Sequence, residues 1–162
     1  MTLGSWITLA IGVLLVPAAT FVAGMRWKWP FVLDAVRRMN KALLNPRQMR
    51  SAGTPGAYAA VIHHVGRRSG TAYRTPISPV RVDGGFAVGL PYGTRPDWVK
   101  NVLAAGSATL EFEGETFVVE HPEVVAAETV RAAFGISDRR AQRVFAVDQC
   151  LRVRTARSSA GI

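Results

Sequence analysis

The sequence predicts an α+β fold that is mainly β: a small barrel of about six short strands with peripheral helices, plus an N-terminal hydrophobic helix. Three observations lead there. From residue 57 onward, apolar residues alternate in short runs broken by turns that carry glycine or proline. The clearest helical stretch, "DWVKNVLAAG", is inserted among those runs, whereas βαβ layering would set a helix after every strand. Residues 1–25 carry no ionisable side chain, in contrast to the charged remainder. A length of 162 residues suits one domain with a single core.

The apolar run "WITLAIGVLLVPAATFVAGM", residues 6–25, is long enough as a helix to cross a hydrocarbon core of about 30 Å. "RWKW" follows at once, with Trp27 and Trp29 suited to the headgroup level and Arg26 and Lys28 to lipid phosphates. A cleaved leader carries its basic residues before the apolar core, and here they come after it. The expectation is a retained anchor in contact with membrane lipids, the main domain lying on the cytoplasmic side. A helix packed on its own domain, or lying in the interface, is the alternative.

Next, "PFVLDAVRRMNKALLNP" places Phe31, Val32, Ala35, Val36, Met39 and Leu43 at helical spacing, with Asn45-Pro46 as the expected stop. Its other face carries Arg37, Arg38 and Lys41. "SAGTPG", residues 51–56, reads as a linker. "AYAAVIHHV" is then a strand, "GRRSG" a turn and "TAYRTPISPVRV" a second strand, bulged or at an edge because of Pro76 and Pro79. "DGG" marks a hairpin into a third strand, "FAVGLPY". Asp97 is placed to cap the helix that follows, and Gly106 to close it. "SATLEFEGETFVVEH" gives two more strands, "AAETVRAAFG" and "SDRRAQRVF" two short helices, and "DQCLRVRTA" the closing strand.

Charge narrows the partners. Twenty Lys and Arg against eleven Asp and Glu give a net charge of +9, which favours an acidic ligand or surface. No nucleic-acid recognition motif accompanies it, so no nucleic-acid partner is expected. The single cysteine, Cys150, excludes an intrachain disulfide and any cysteine zinc cluster. His63 and His64 are adjacent on a strand and point to opposite faces, so they cannot grip one metal; both read as structural, and no metal site is expected. Ser69 lacks the glycine spacing of a nucleophile elbow. In residues 66–70, "GRRSG", glycines permit a tight turn and expose its amides, while two guanidiniums and a hydroxyl suit a phosphate or carboxylate. Chemistry alone leaves that turn either an anion clamp or a solvated hairpin tip.

The run "HVGRRSGTAYRTPISPVRVDGGFAVGLPYGTRPDWVKNVLAAGSATLEF" resembles the deazaflavin (F420)-dependent nitroreductase and quinone reductase family. The ordered set carries the likeness: basic glycine-bounded turn, proline-bearing strand, Asp-Gly-Gly hairpin and Asp-Trp-Asn helix. It is strongest over about residues 58–124. The resemblance implies a split β-barrel related to flavin reductases and coenzyme F420 as cofactor, with FMN as the alternative. F420 has a phosphodiester and a polyglutamate tail. By motif position Arg67, Arg68, Ser69 and Gly70 would hold that tail, with Arg74 extending the clamp. Thr75, Pro76, Leu90, Pro91, Tyr92 and Gly93 would line the ring, with Trp98 and Asn101 beside them. Tyr92 or solvent is the candidate proton donor. The only tyrosines are Tyr58, Tyr73 and Tyr92, whereas nitro-reducing members carry several in a C-terminal segment; this tilts the expected acceptor away from nitro compounds.

The expected organisation is therefore an anchor with its aromatic and basic flank (1–29), an amphipathic helix and linker (30–56), a split-barrel cofactor domain (57–157) and a frayed tail (158–162). The expected activity is F420H2-dependent hydride transfer to a lipophilic acceptor such as a quinone, at the membrane. The alternatives are an FMN- or haem-related barrel, or a protein that binds F420 without turning it over.

Overall fold

The computed structural model describes residues 3–156, and side chains from residue 15 onward. Helix α1 (Leu3–Arg26) is followed by α2 (Pro30–Met39), a π-helical turn (Asn40–Leu44) and one further turn, α3 (Asn45–Gln48). Strands β1 (Ala60–Val65), β2 (Ala72–Ile77), β3 (Pro79–Val82) and β4 (Gly85–Gly89) precede α4 (Asp97–Ala105). Then come β5 (Ser107–Phe112), β6 (Glu115–Ala126), the short α5 (Ala127–Val130), α6 (Ile136–Val144) and β7 (Gln149–Thr155). The expected frayed tail, residues 158–162, lies outside the described residues.

All strand pairs are antiparallel, in the order β2-β1-β5-β6-β7-β4-β3. The two edge strands, β2 and β3, are separated in the chain by Ser78 alone. Laid flat, the sheet would hold its edges roughly 29 Å apart at about 4.8 Å per strand. Two residues of extended chain reach only about 7 Å. The sheet must therefore curl until its edges meet, and Ser78 is the seam of a split barrel. The single strand expected over "TAYRTPISPVRV" is two, β2 and β3, so the barrel has seven strands and not six. Pro76 and Pro79 mark the break because neither can donate to a ladder.

Inside the barrel Ile62, Phe86, Leu110, Val119 and Leu151 are almost wholly buried. Phe112 and Phe117 pack edge-on against Phe86, and the Arg81 guanidinium lies over all three rings. Cys150 sits in a smaller cluster with Ala87 and Phe134, where burial pushes its thiol up to about 11 and leaves it unreactive.

Three other expectations are corrected. Asn45-Pro46 does not stop the helix: the π turn lets Asn45 N–H reach Asn40 O, and the chain absorbs a proline that cannot bond four residues back. "AAETVRAAFG" forms only α5 and one 3-10 turn, because β6 runs on to Ala126. A bulge at residues 121–122, with His121 at φ 53°, turns β6 from its partner β5 toward β7. Asp97 does not cap α4; Pro96 holds that position and the Asp97 carboxylate is engaged elsewhere. Gly106, at φ 72°, does close the helix.

The anchor expected over residues 6–25 falls partly on side chains outside the described set. Among the described residues no helix is long and apolar enough to cross a membrane. What the structure shows is a docked C-terminal end to α1. Met25 is buried, Gly24 backs directly onto Val32, the Phe21 ring meets Phe145 edge-on, and Arg26 donates to Arg143 O. The 51–56 segment is likewise tied down: Gly53 O accepts from Gly114 N, and Gly53 N donates to Ala59 O.

Candidate functional site

A cleft of about 900 Å³ opens beside the seam, at the upper end of small-molecule sites. Its walls come from α2 and the π turn, the β1–β2 turn, the start of α4, the segment after β4, and α6. Most predicted site residues line it: Arg67, Arg68, Ser69, Arg74, Thr75, Pro76, Leu90, Pro91, Tyr92, Gly93, Trp98 and Asn101. Gly70 does not reach the wall; at φ 66° it closes the turn, donating to Gly66 O while Gly66 N donates to Thr71 O. Trp98 serves both the cleft and the core, packing on the barrel interior from α4.

The two arginines of the turn have different partners. Arg67 folds back onto α4, its Nη1 donating to Asn101 Oδ1 at 2.9 Å and to Asp97 Oδ1 at 3.2 Å. Its backbone N–H also donates to Asn101 Oδ1. Arg67 therefore braces the turn. Arg68 faces the cleft with no acidic partner among the described residues, and Lys41 does the same from the π turn. Arg74 reaches Glu111 at 3.5 Å, with His63 on the other carboxylate oxygen at 2.7 Å. The strand alternation thus puts His63 outside and His64 inside.

His64 is the link that sequence reasoning treated as merely structural. Asn101 Oδ1 accepts twice from Arg67, so Asn101 Nδ2 donates to His64 Nδ1 at 3.1 Å. His64 must then carry its proton on Nε2, which donates to Thr75 Oγ1 at 3.0 Å. The Thr75 hydroxyl hydrogen is left free for the cleft. Burial lowers the His64 pKa, outweighing the opposing pull of Asp97, and keeps the ring neutral over Tyr73. The signal that could have found it was position: His64 lies two residues before the turn's first glycine, on the inward face of β1.

Tyr92 sits in a turn closed by Gly93 N–H to Leu90 O, with Gly93 at φ 59°. Its Oη accepts from Asn40 Nδ2 at 2.6 Å, so the phenolic hydrogen points elsewhere. Burial raises its pKa against that hydrogen bond, and the phenol stays protonated at neutral pH. Lys28, itself at φ 55°, straps this turn to the rest of the domain by donating to Pro91 O and Phe145 O, both at 3.2 Å. Lys28→Met is expected to cost about 1 kcal/mol of stability, these bonds being partly solvated. It should also raise the cofactor KM more than it lowers kcat; thermal unfolding and steady-state titration check this.

A curled antiparallel sheet closed at Ser78, with a basic-rimmed cleft beside the seam, defines a split-barrel protein with a cleft large enough for a cofactor. Residues 37–150 match the family model described as F420H(2)-dependent quinone reductase, and the chain belongs to that family. It is accordingly an oxidoreductase whose cofactor is coenzyme F420. No curated protein matches it. A solved F420-H2 dependent reductase, FDR-A, is similar at 14% identity over 60% of this chain and 94% of that one, with a TM-score of 0.38. A structure described as a domain-swapped dimer is similar at 16% identity over 75% and 98% of the two chains, with a TM-score of 0.36. At those scores neither adds to the family assignment.

The residues present fit F420. Arg37, Lys41, Arg68 and Arg74 line the cleft against two acids, Asp97 and Asp138, the former already occupied by Arg67. That excess of positive charge matches a phosphodiester and carboxylate tail. The end of β4 and α6 contribute a mostly uncharged wall suited to a planar ring.

Proposed function

We propose that this chain reduces a lipophilic quinone-like acceptor at the expense of reduced F420, beside a membrane. One observation carries the reading: a single cleft joins unpaired cations to an apolar wall bearing two hydroxyl donors, Thr75 and Tyr92. The bound cofactor supplies a hydride. Reduction of a quinone to a quinol takes that hydride and one further proton. Tyr92 Oη holds such a proton because burial keeps it un-ionised, and solvent at the cleft mouth replaces it. Thr75 Oγ1, oriented by His64, donates a hydrogen bond without changing charge. Arg68 and Lys41 hold the anionic tail, and Arg67 holds the turn that presents Arg68.

Membrane attachment belongs to the same reading. It rests on the uncharged residues 1–25 and on the exposed Trp27 and Phe31, which stack through Trp29 beside Arg26. The basic flank favours the cytoplasmic side. Salt alone should not release the full chain from membranes; release at high salt would overturn the attachment.

The test of the activity is titration of the full chain with oxidised F420 and with FMN, followed by oxidation of reduced F420 on adding a menaquinone analogue. Micromolar or tighter F420 binding and quinone-dependent turnover are expected. Binding without turnover on any quinone would make it a sequestering protein instead. Arg68→Ala and Lys41→Ala should each weaken F420 binding about tenfold and flatten its salt dependence. An unchanged Kd in both would remove the anion-holding role from this rim.

A further inference from the structure

Among the described residues that line the cleft, one has a fully buried side-chain atom with no hydrogen-bond partner. Gln142, on α6, is 7% exposed, yet its Oε1 is buried without a hydrogen bond. Its backbone carbonyl is occupied by Val147 N–H, so the unmet need belongs to the side chain. The carboxamide stands beside Gly89, where an added Cβ would lie 3.6 Å from Nε2. Val147 approaches the same glycine, and Val88, Leu90, Phe134 and Phe145 also line the cleft; none of these offers a side-chain donor. An unpartnered buried carbonyl is destabilising, because it has given up water without gaining a protein donor. A fold tolerates that where a ligand supplies the missing bond.

We propose that Gln142 reads the imide edge of the ring bound in this cleft, a C(=O)–NH–C(=O) group like that of the pyrimidinedione in a deazaflavin. The inference rests on the cofactor assignment and adds a residue to it. Ligand chemistry selects this edge. Oε1 needs a donor, which excludes a phosphate, a carboxylate or an oxidised quinone, all of them acceptors only. An N–H flanked by carbonyls serves Oε1 and Nε2 together. Turning the carboxamide over exchanges its two halves, and the same edge still serves both. The mostly uncharged wall makes each bond stronger than one at the basic rim.

The test uses the full chain and three ligands: F420, its chromophore without phosphate and tail, and that chromophore methylated at the imide nitrogen. Binding is followed by titration without turnover. Gln142→Leu should weaken F420 and the bare chromophore alike, by about tenfold. Methylation should weaken wild-type binding by a similar factor and leave the leucine variant indifferent. The ligand-free variant should unfold at an equal or higher temperature than wild type, because it no longer buries an unpaired carbonyl. A purely structural glutamine would instead lower it. Gln142→Met, closer in shape, repeats the comparison if leucine misfolds, and the methylated ligand tests wild type with no substitution at all. Equal binding of parent and methylated chromophore to wild type overturns the proposal. So does unchanged chromophore affinity in the variants with a raised quinone KM, which would place Gln142 against the acceptor. Failure of wild type to bind F420 at all overturns the cofactor reading itself, and that arm stands apart from the variants.

Discussion

Asn101→Leu is expected to destabilise the protein by about 2–4 kcal/mol and to weaken F420 binding more than tenfold. Asn101 is 4% exposed and satisfies three donors and acceptors at once: Arg67 N–H, Arg67 Nη1 and His64 Nδ1. Leucine fills the volume but leaves a partly buried amide and a buried ring nitrogen without partners. The turn that presents Arg68 then loses its tie to α4, except through the exposed Asp97 carboxylate. Denaturant unfolding and F420 titration measure the two effects.

Asn101→Asp separates geometry from charge. In the native protein burial holds His64 below its ordinary pKa of 6.5, so the unfolded chain binds the proton more readily. Stability is therefore lost as pH falls below about 6.5. An aspartate can still accept from Arg67, but it cannot donate to His64 Nδ1. It bonds that nitrogen only when Nδ1 carries a proton, and its negative charge favours the doubly protonated ring, which raises the folded-state pKa. The variant's His64 contribution is then present below about 6.5 and lost as pH rises through the raised value. The difference between variant and wild-type stability should thus fall with rising pH near neutrality. A difference independent of pH would mean that His64 does not titrate against position 101.

Much of this site was legible because its residues lie in one continuous stretch. The "GRRSG" turn, Thr75-Pro76 and residues 90–93 do share a cleft. What could not be read was the allocation of partners. Arg67 and Arg68 are chemically identical in the sequence; only the approach of α4, more than twenty residues on, makes one a brace and leaves the other facing the ligand. Asp97 was read as a cap by its place at a helix start, and Arg67 won it. Asn40, Lys28 and Gln142 carry no motif, and they join the site because the α1–α2 connection, the π turn and α6 come against it. The fold shows the same division. Alternation located nearly every strand, but the break at Ser78 becomes visible only once barrel closure forces two consecutive strands to opposite edges.

Gly85→Ala is expected to cost about 3 kcal/mol or more, and enough to prevent folding in a marginally stable background. A Cβ at Gly85 would run into Val153 O and fall 2.8 Å from Arg154 Cα, both backbone atoms of β7. No rotamer change relieves such a contact. The β4–β7 pairing itself must open, and it is one of the joins that close the barrel. The adjacent Gly84 supplies the control, because it sits at φ 71° in the Asp83-Gly84 turn with nothing within 4 Å of an added Cβ. Gly84→Ala meets only left-handed backbone strain, about 1–2 kcal/mol, and Gly84→Asn less, since asparagine tolerates that conformation. Chemical denaturation should therefore rank Gly85→Ala far below Gly84→Ala, with Gly84→Asn nearest wild type. The residues named at the cleft lie elsewhere on the barrel, so whatever fraction of each variant folds should bind F420 with native affinity. Equal losses at the two glycines would show that strand crossing at Gly85 is not the close approach described, and that β4 and β7 can separate at small cost.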